Sequence, residues 1–210
     1  MPERAQGFKS SRLSATERRR QIIEATISAL ADHGPQKCTL RQVAKDLEVA
    51  PSLINYFFKS WDELLMETYR ALAARYRTEA DELSHKVKAG DDPRAALQAY
   101  IDHYFSDYWT SDRIAGAYIS LWALSRSEVE LHGEMERFAR TQQNDLVRLI
   151  ASYAAEHRDA IDPERAAAAF YMLLSGLWYE RAVNPGAVSR DRAKELAWYV
   201  LDSMISPARR

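Results

Sequence analysis

A single cysteine, Cys38, stands in a chain of 210 residues. No intrachain disulfide can form, which fits a reducing compartment and leaves stability to packing. No apolar run approaches the roughly 18 residues that a membrane span needs. The opening stretch "MPERAQGFKSSRLSATERRR" lacks the apolar segment of a signal peptide. The expectation is a cytoplasmic chain without a membrane partner. Missing too are an HExxH or other metal-ligand spacing, a Gly-rich phosphate loop, a GxSxG elbow and a paired-carboxylate site. The five histidines, His33, His85, His103, His132 and His157, stand apart from one another. No catalytic residues, no metal and no cofactor are therefore expected, and the chain reads as no enzyme. Cys38 follows Lys37, so a lowered thiol pKa is conceivable there; a small semi-buried thiol is the simpler role.

Glycine and proline are scarce, seven of each, and sit mostly at breaks: "DHGPQKC", "KAGDDPR" and "NPGAVS". No segment alternates apolar and polar residues between turn signals, so no sheet is expected. Hydrophobic residues make up 47% and charged residues 28%, a globular rather than a disordered balance. The net charge of −1 hides an asymmetry. Residues 1–60 carry ten Lys and Arg against six Asp and Glu, and the remainder nineteen against twenty-four. A basic N-terminal quarter on an acidic body suits a polyanion contact at one end; a solvated tail and a solvated face would give the same numbers.

Helix starts recur. Ser14–Glu17, Thr39–Gln42, Ser60–Glu63 and Ser127–Glu130 have the spacing of capping boxes. Asp92-Pro93 and Asp162-Pro163 combine an acidic N-cap with proline at the first helical position. Between them apolar residues follow a helical period: Ile23, Ile27, Leu30 and Ala31; Leu40, Val43, Ala44 and Leu47; Leu65, Tyr69, Leu72 and Tyr76; Phe170, Leu174 and Leu177; Leu196, Val200 and Met204. The fold class is all-α, with about nine helices. The expected division is an N-terminal three-helix head at 1–60, including a basic arm at 1–13, and a helical body at 61–210.

The stretch "TLRQVAKDLEVAPSLINYFFKSWDELL" holds two short amphipathic segments around a tight break, a helix-turn-helix arrangement. The second segment's N-terminal residues would meet base edges in the major groove, which puts Ala50, Pro51, Ser52 and Asn55 there. Asn55 has the paired donor and acceptor that suit adenine. Tyr56 and Lys59 suit phosphates, as do Thr39, Arg41 and Gln42 at the start of the first short helix. Any three-helix packing needs similar apolar spacing, so the pattern alone also fits a helical interaction scaffold.

The same stretch resembles the DNA-binding domain of the TetR/AcrR family of bacterial transcriptional regulators. Thr39 opens a short helix, Val43-Ala44 is the apolar-Ala pair, and Val49 precedes the turn. An aromatic pair ending in Phe58 and then Ser60, Asp62, Glu63 and Leu64 complete the likeness over roughly residues 14–70. Four positions depart from it: Glu48 stands where the family usually has Gly, Pro51 enters the recognition helix, Ser52 replaces a frequent Gly, and Trp61 replaces a frequent Lys. Pro51 is harmless at a position whose N–H is unbonded in any case. "ISLWALSRSEVELH" and "LLSGLWYERAVNPGAVSRDRAKELAWYVLD" are similar to the C-terminal domain of BetI-type regulators, repressors of choline-to-glycine-betaine genes.

That likeness implies a homodimer whose last two helices form a four-helix bundle with their symmetry mates, through Ala169, Phe170, Leu173, Leu177, Leu196, Val200 and Met204. It implies a repressor that leaves a palindromic double-stranded operator when a small-molecule effector binds. Tyr69, Tyr104, Tyr108, Trp109, Tyr118, Trp122 and Trp178 are the candidate effector contacts. Aromatic faces attract quaternary ammonium groups, by about 0.5–2 kcal/mol each, so a choline-like cation suits them, with Asp102, Asp107 or Glu180 as counter-charge. A planar or hydrophobic compound, controlling a transporter or catabolic operon, suits the same lining, and aromatic stripes at helical spacing also serve as plain core.

Overall fold

A computed structural model describes residues 14–86, 92–157 and 161–205; the basic arm at 1–13 lies outside them, as do the side chains of His85 and His157. The described residues form nine helices and no strand: α1 (Ala15–Lys37), α2 (Leu40–Asp46), α3 (Pro51–Phe57), α4 (Trp61–Lys86), α5 (Pro93–Tyr104), α6 (Asp112–Ser125), α7 (Val129–His157), α8 (Pro163–Val183) and α9 (Arg190–Ile205).

The helix starts are where short polar side chains take up free backbone N–H groups. Ser14 closes a full capping box with Glu17, and Asp92 and Asp162 cap α5 and α8 ahead of their prolines. Thr39 and Ser60 accept from the N–H groups of Gln42 and Glu63, but neither box closes. Gln42 turns its amide to Asp46 instead, and Glu63 accepts from the Lys59 N–H one residue early. Ser127 corrects the sequence reading. Its hydroxyl donates to the Leu124 carbonyl, finishing α6, and α7 begins at Val129. In α1 the regular helix breaks at Gly34, whose φ of 71° is left-handed and is followed by Pro35.

Two cores result. One joins α1, α2 and α3 to the first part of α4 and to α6, around Ile22, Leu30, Val43, Ile54, Phe58 and Tyr69. The other joins α5, the second half of α7, α8 and α9, around Ile101, Phe105, Leu146, Phe170 and Leu201. The core face of α9 is Ala193, Ala197, Leu201 and Ile205, one residue round from the expected stripe of Leu196, Val200 and Met204, which is only half-buried.

Candidate functional site

Helix α3 is seven residues long and would not hold alone. Ile54 and Phe58, both fully buried, anchor it to the head. The opposite face shows Pro51, Ser52, Asn55 and Tyr56 to solvent, Tyr56 at 82% exposure, with Ala50 and Lys59 exposed at the ends. Thr39 and Arg41 are exposed beside them. Gln42 is not free in the same way: it is half-buried, its side chain donating to Asp46 at 2.7 Å and lying 3.3 Å from the His33 ring. The turn between α2 and α3 carries Glu48 at φ 55°, the left-handed region where glycine is at ease and other residues are strained.

The head is riveted to α4. Arg19 on α1 donates to the Phe57 carbonyl at 2.6 Å, at the end of α3, and to Glu67 on α4 at 3.1 Å. Its guanidinium also lies 4.1 Å over the Phe58 ring. Opposed arginines and burial together leave the Glu67 carboxyl below its usual range, the arginines outweighing the burial that raises it. On its other side α1 packs along α6. Ser120 donates to the Leu30 carbonyl at 2.8 Å, and Arg113 reaches Ser28 and the Glu24 carboxylate at 2.9 and 2.7 Å.

Helices α4, α5, α6, α7 and α8 surround a half-open cavity of about 330 Å³, within the usual range for small-molecule sites. Six of the seven candidate effector contacts, Tyr69, Tyr104, Trp109, Tyr118, Trp122 and Trp178, line it. Tyr76, Phe138 and Tyr171 also line it and were not singled out as contacts; only the packing of three separate helices brings them in. The rings meet edge to face: Tyr69 with Tyr118 at 6.2 Å, Tyr76 with Trp109 at 5.2 Å, Trp122 with Trp178 at 5.5 Å between centroids. Burial pushes the phenols of Tyr76 and Tyr118 well above their ordinary pKa, so all enter any binding event neutral.

Tyr108 is a correction. It does not line the cavity; its ring is half-buried against the head core with the Arg75 guanidinium 3.4 Å over it. The three suggested counter-charges are also elsewhere. Asp102 pairs with Lys194, Asp107 with Arg190, and Glu180 is exposed near Asn184. Among the described lining residues the one carboxylate is Glu136, at the rim, where it pairs with His132 and Arg140 at 3.5 and 3.2 Å. Cys38 is buried, and its thiol is pushed up to about 12 by that burial and by Asp46, so the lowered pKa conceivable from Lys37 is not found. No group of three or more His, Cys, Asp or Glu able to hold a metal ion occurs among the described residues.

Of the residues expected to meet a second copy, Phe170 faces inward with no exposed surface and belongs to the protomer's own core. Ala169 is exposed, and Leu173, Leu177, Leu196, Val200 and Met204 are half-buried. The outward apolar surface lies one step round the helices, at Met172, Tyr179 and Val183 on α8 and Tyr199 on α9, with Gly176 open beside them.

Residues 22–68 match the model of bacterial regulatory proteins of the tetR family, and residues 93–206 match that of the BetI-type transcriptional repressor C-terminal domain. The chain is 28% identical to the HTH-type transcriptional regulator BetI of Burkholderia thailandensis, over 90% of this chain and 94% of that one. It is also 28% identical to the BetI regulator of Escherichia coli K12, over 85% and 89%. A crystal structure of a transcriptional regulator from Pseudomonas aeruginosa PAO1 superposes with a TM-score of 0.82 at 25% identity, covering 97% of this chain and 98% of that one. A regulator from Saccharomonospora viridis, crystallised in complex with choline, shares the fold at TM-score 0.72 and 18% identity, covering 89% and 96%.

Proposed function

The chain belongs to the TetR family of bacterial transcriptional regulators and carries a BetI-type C-terminal domain, and on that premise we propose that it is a dimeric, cytoplasmic repressor released from a palindromic operator by a small molecule held in the aromatic cavity. The observation that carries this reading is the double duty of α4. It lends Tyr69 and Tyr76 to the cavity and starts four residues after α3 ends, with Arg19 fastening the two. A ligand that binds one spacing of the two heads better than another shifts the balance between them by that difference in affinity.

On this reading the head at 1–60 meets DNA through Ser52 and Asn55 at base edges, and through Thr39, Arg41, Tyr56 and Lys59 at phosphates. Its two recognition helices sit about 34–36 Å apart, one turn of duplex. The body at 61–210 dimerises through the outward face of α8 and α9. The exposed Met172, Tyr179, Val183 and Tyr199 support that face, since such large apolar groups favour burial.

A choline-like cation is the first effector class, supported by the edge-to-face aromatic lining and by the Glu136 carboxylate. A planar or hydrophobic effector is the second, and one observation favours it: Glu136 is already paired with His132 and Arg140, so the cavity is close to neutral. Footprinting on DNA flanking the protein's own gene tests both, with and without choline and betaine aldehyde. Protection lost on adding either compound supports the cation; protection indifferent to both leaves the repressor and removes the cation. No protection at low salt overturns the whole proposal.

A further inference from the structure

A second chamber of about 450 Å³ lies between α4, α5 and α7. Tyr76, Phe138 and Gln142 border it and the aromatic cavity alike, so three side chains form the partition between the two. The linings differ in kind. The first chamber is built mainly of indole and phenol rings, whereas the second sets the aliphatic Leu83, Ala96, Ala99 and Leu149 beside Arg77, Asp81, Asp145 and Arg148, of which Asp145 alone is half-buried and the others are exposed. The partition is weakly held on its polar side. Tyr100 donates to Gln142 over a long 3.3 Å. The Tyr76 hydroxyl, on a residue only 7% exposed, meets no hydrogen-bonding geometry with a neighbour, although the Tyr100 phenol stands close enough to act on it. A hydroxyl without a well-formed bond gives up little hydrogen bonding when its side chain is displaced, so the Tyr76 ring can yield to a chain passing between the chambers at low cost.

We propose that the two chambers form one bipartite site for an elongated amphiphile, its compact head among the aromatic rings and its alkyl chain passing the Tyr76–Phe138–Gln142 partition into the aliphatic chamber. This rests on the effector reading above and adds the class of effector. Tail binding moves Tyr76 from the side of α5 and α7 as well as from the cavity. The chain thereby reports to the same helix that leads into the head.

Calorimetry on the full-length protein tests this with two series of probes below their micelle thresholds: tetramethyl-, butyltrimethyl- and octyltrimethylammonium, and acetate, butyrate and octanoate. Affinity should rise about three- to fourfold for each methylene that enters the second chamber, the gain from burying one CH₂. Ala99→Phe, which fills that chamber, should reduce the whole chain-length gain to less than about threefold while tetramethylammonium binds as before. Ala96→Leu provides a gentler filling should Ala99→Phe not fold, with retained operator binding as the check on either variant. Affinity independent of chain length in both series overturns the bipartite site, as does a gain that survives the filled chamber. A gain seen only with carboxylates upholds the site and removes the cationic head. Tetramethylammonium binding without any gain leaves the cation and removes the second chamber.

Discussion

Gly116 on α6 lies so close to Ala31 on α1 that a β-carbon added at 116 would stand 3.1 Å from the Ala31 α-carbon and 3.2 Å from its β-carbon. The neighbour is helix backbone rather than a flexible side-chain end. The absence of a side chain here sets how near α6 can come to the scaffold helix of the head. Since α6 also carries Tyr118 and Trp122 into the cavity, the same crossing ties the cavity wall to the head through α1, as α4 does from its own side.

Gly116→Ala should therefore destabilise the protein. Helix propensity alone would favour alanine by about 1 kcal/mol, but forcing a methyl group into a packed crossing costs about 1–3 kcal/mol. Urea unfolding should show a lower midpoint with an unchanged slope. A raised midpoint would mean that the two helices separate freely.

Glu48→Gly should do the opposite. Glu48 holds a φ of 55°, a conformation costing about 1–2 kcal/mol for a residue with a β-carbon. Part of the relief is offset by the greater freedom of glycine in the unfolded chain. The expected net gain is about 0.5–1 kcal/mol, read as a higher unfolding midpoint with operator affinity retained.

Asn55→Ala and Lys59→Ala should part company on DNA. The first should relax discrimination at one base pair, costing about 1–3 kcal/mol on the preferred sequence and little elsewhere. The second should weaken all sequences alike and lower the slope of log affinity against log salt by about one. Titrations on operator and scrambled duplexes at several salt concentrations check both; equal losses from both variants on every sequence would contradict the assignment.

Tyr76→Phe should leave stability unchanged or raise it by about 1 kcal/mol, because it removes a buried hydroxyl that lacks a well-formed bond. Loss of stability would reveal a partner, such as an ordered water.

His103 should make the fold weaker in mild acid. Burial, opposed by Glu79 at 3.9 Å and by the Tyr76 carbonyl, holds its imidazole below the ordinary value of 6.5. The unfolded chain then binds the proton more readily, so stability rises with pH and is lost as pH falls below 6.5. Denaturant midpoints measured from pH 7.5 to 5.5 should fall, and His103→Gln should flatten that part of the curve. Glu67 and Glu134, whose carboxyls lie below 4.5, act only in a more acidic range.

Much of the head was legible in the sequence because its short helices bury one face each. A 3.6-residue period separates Ile54 and Phe58 from Ser52 and Asn55 without further information. Where a helix is apolar most of the way round, the period cannot choose a face. On α8, Phe170 turned out to be core and Met172 surface, although both fit an apolar stripe. Ser127 has the chemistry for either end of a helix, and only the Leu124 carbonyl beside it decides which. The cavity was half legible. Crowded aromatics near Trp109 were visible, but Tyr76, Phe138 and Tyr171 arrive from three helices far apart in the chain. Tyr108, next to Trp109, packs instead under an arginine more than thirty residues earlier.

The 26 residues of α4 make a stiff rod of about 39 Å, with the cavity partway along it and the reading helix at its near end. In a rod without a joint, angles become distances. Pivoted about 20 Å from the head, a tilt of about 5° carries the tip about 1.7 Å, and two such tips moving apart in a symmetric pair gain about 3.4 Å, the rise of one base step. In the dimer proposed above, a molecule small enough to wedge two rings apart would therefore have leverage enough to put both heads one step out of register with the groove.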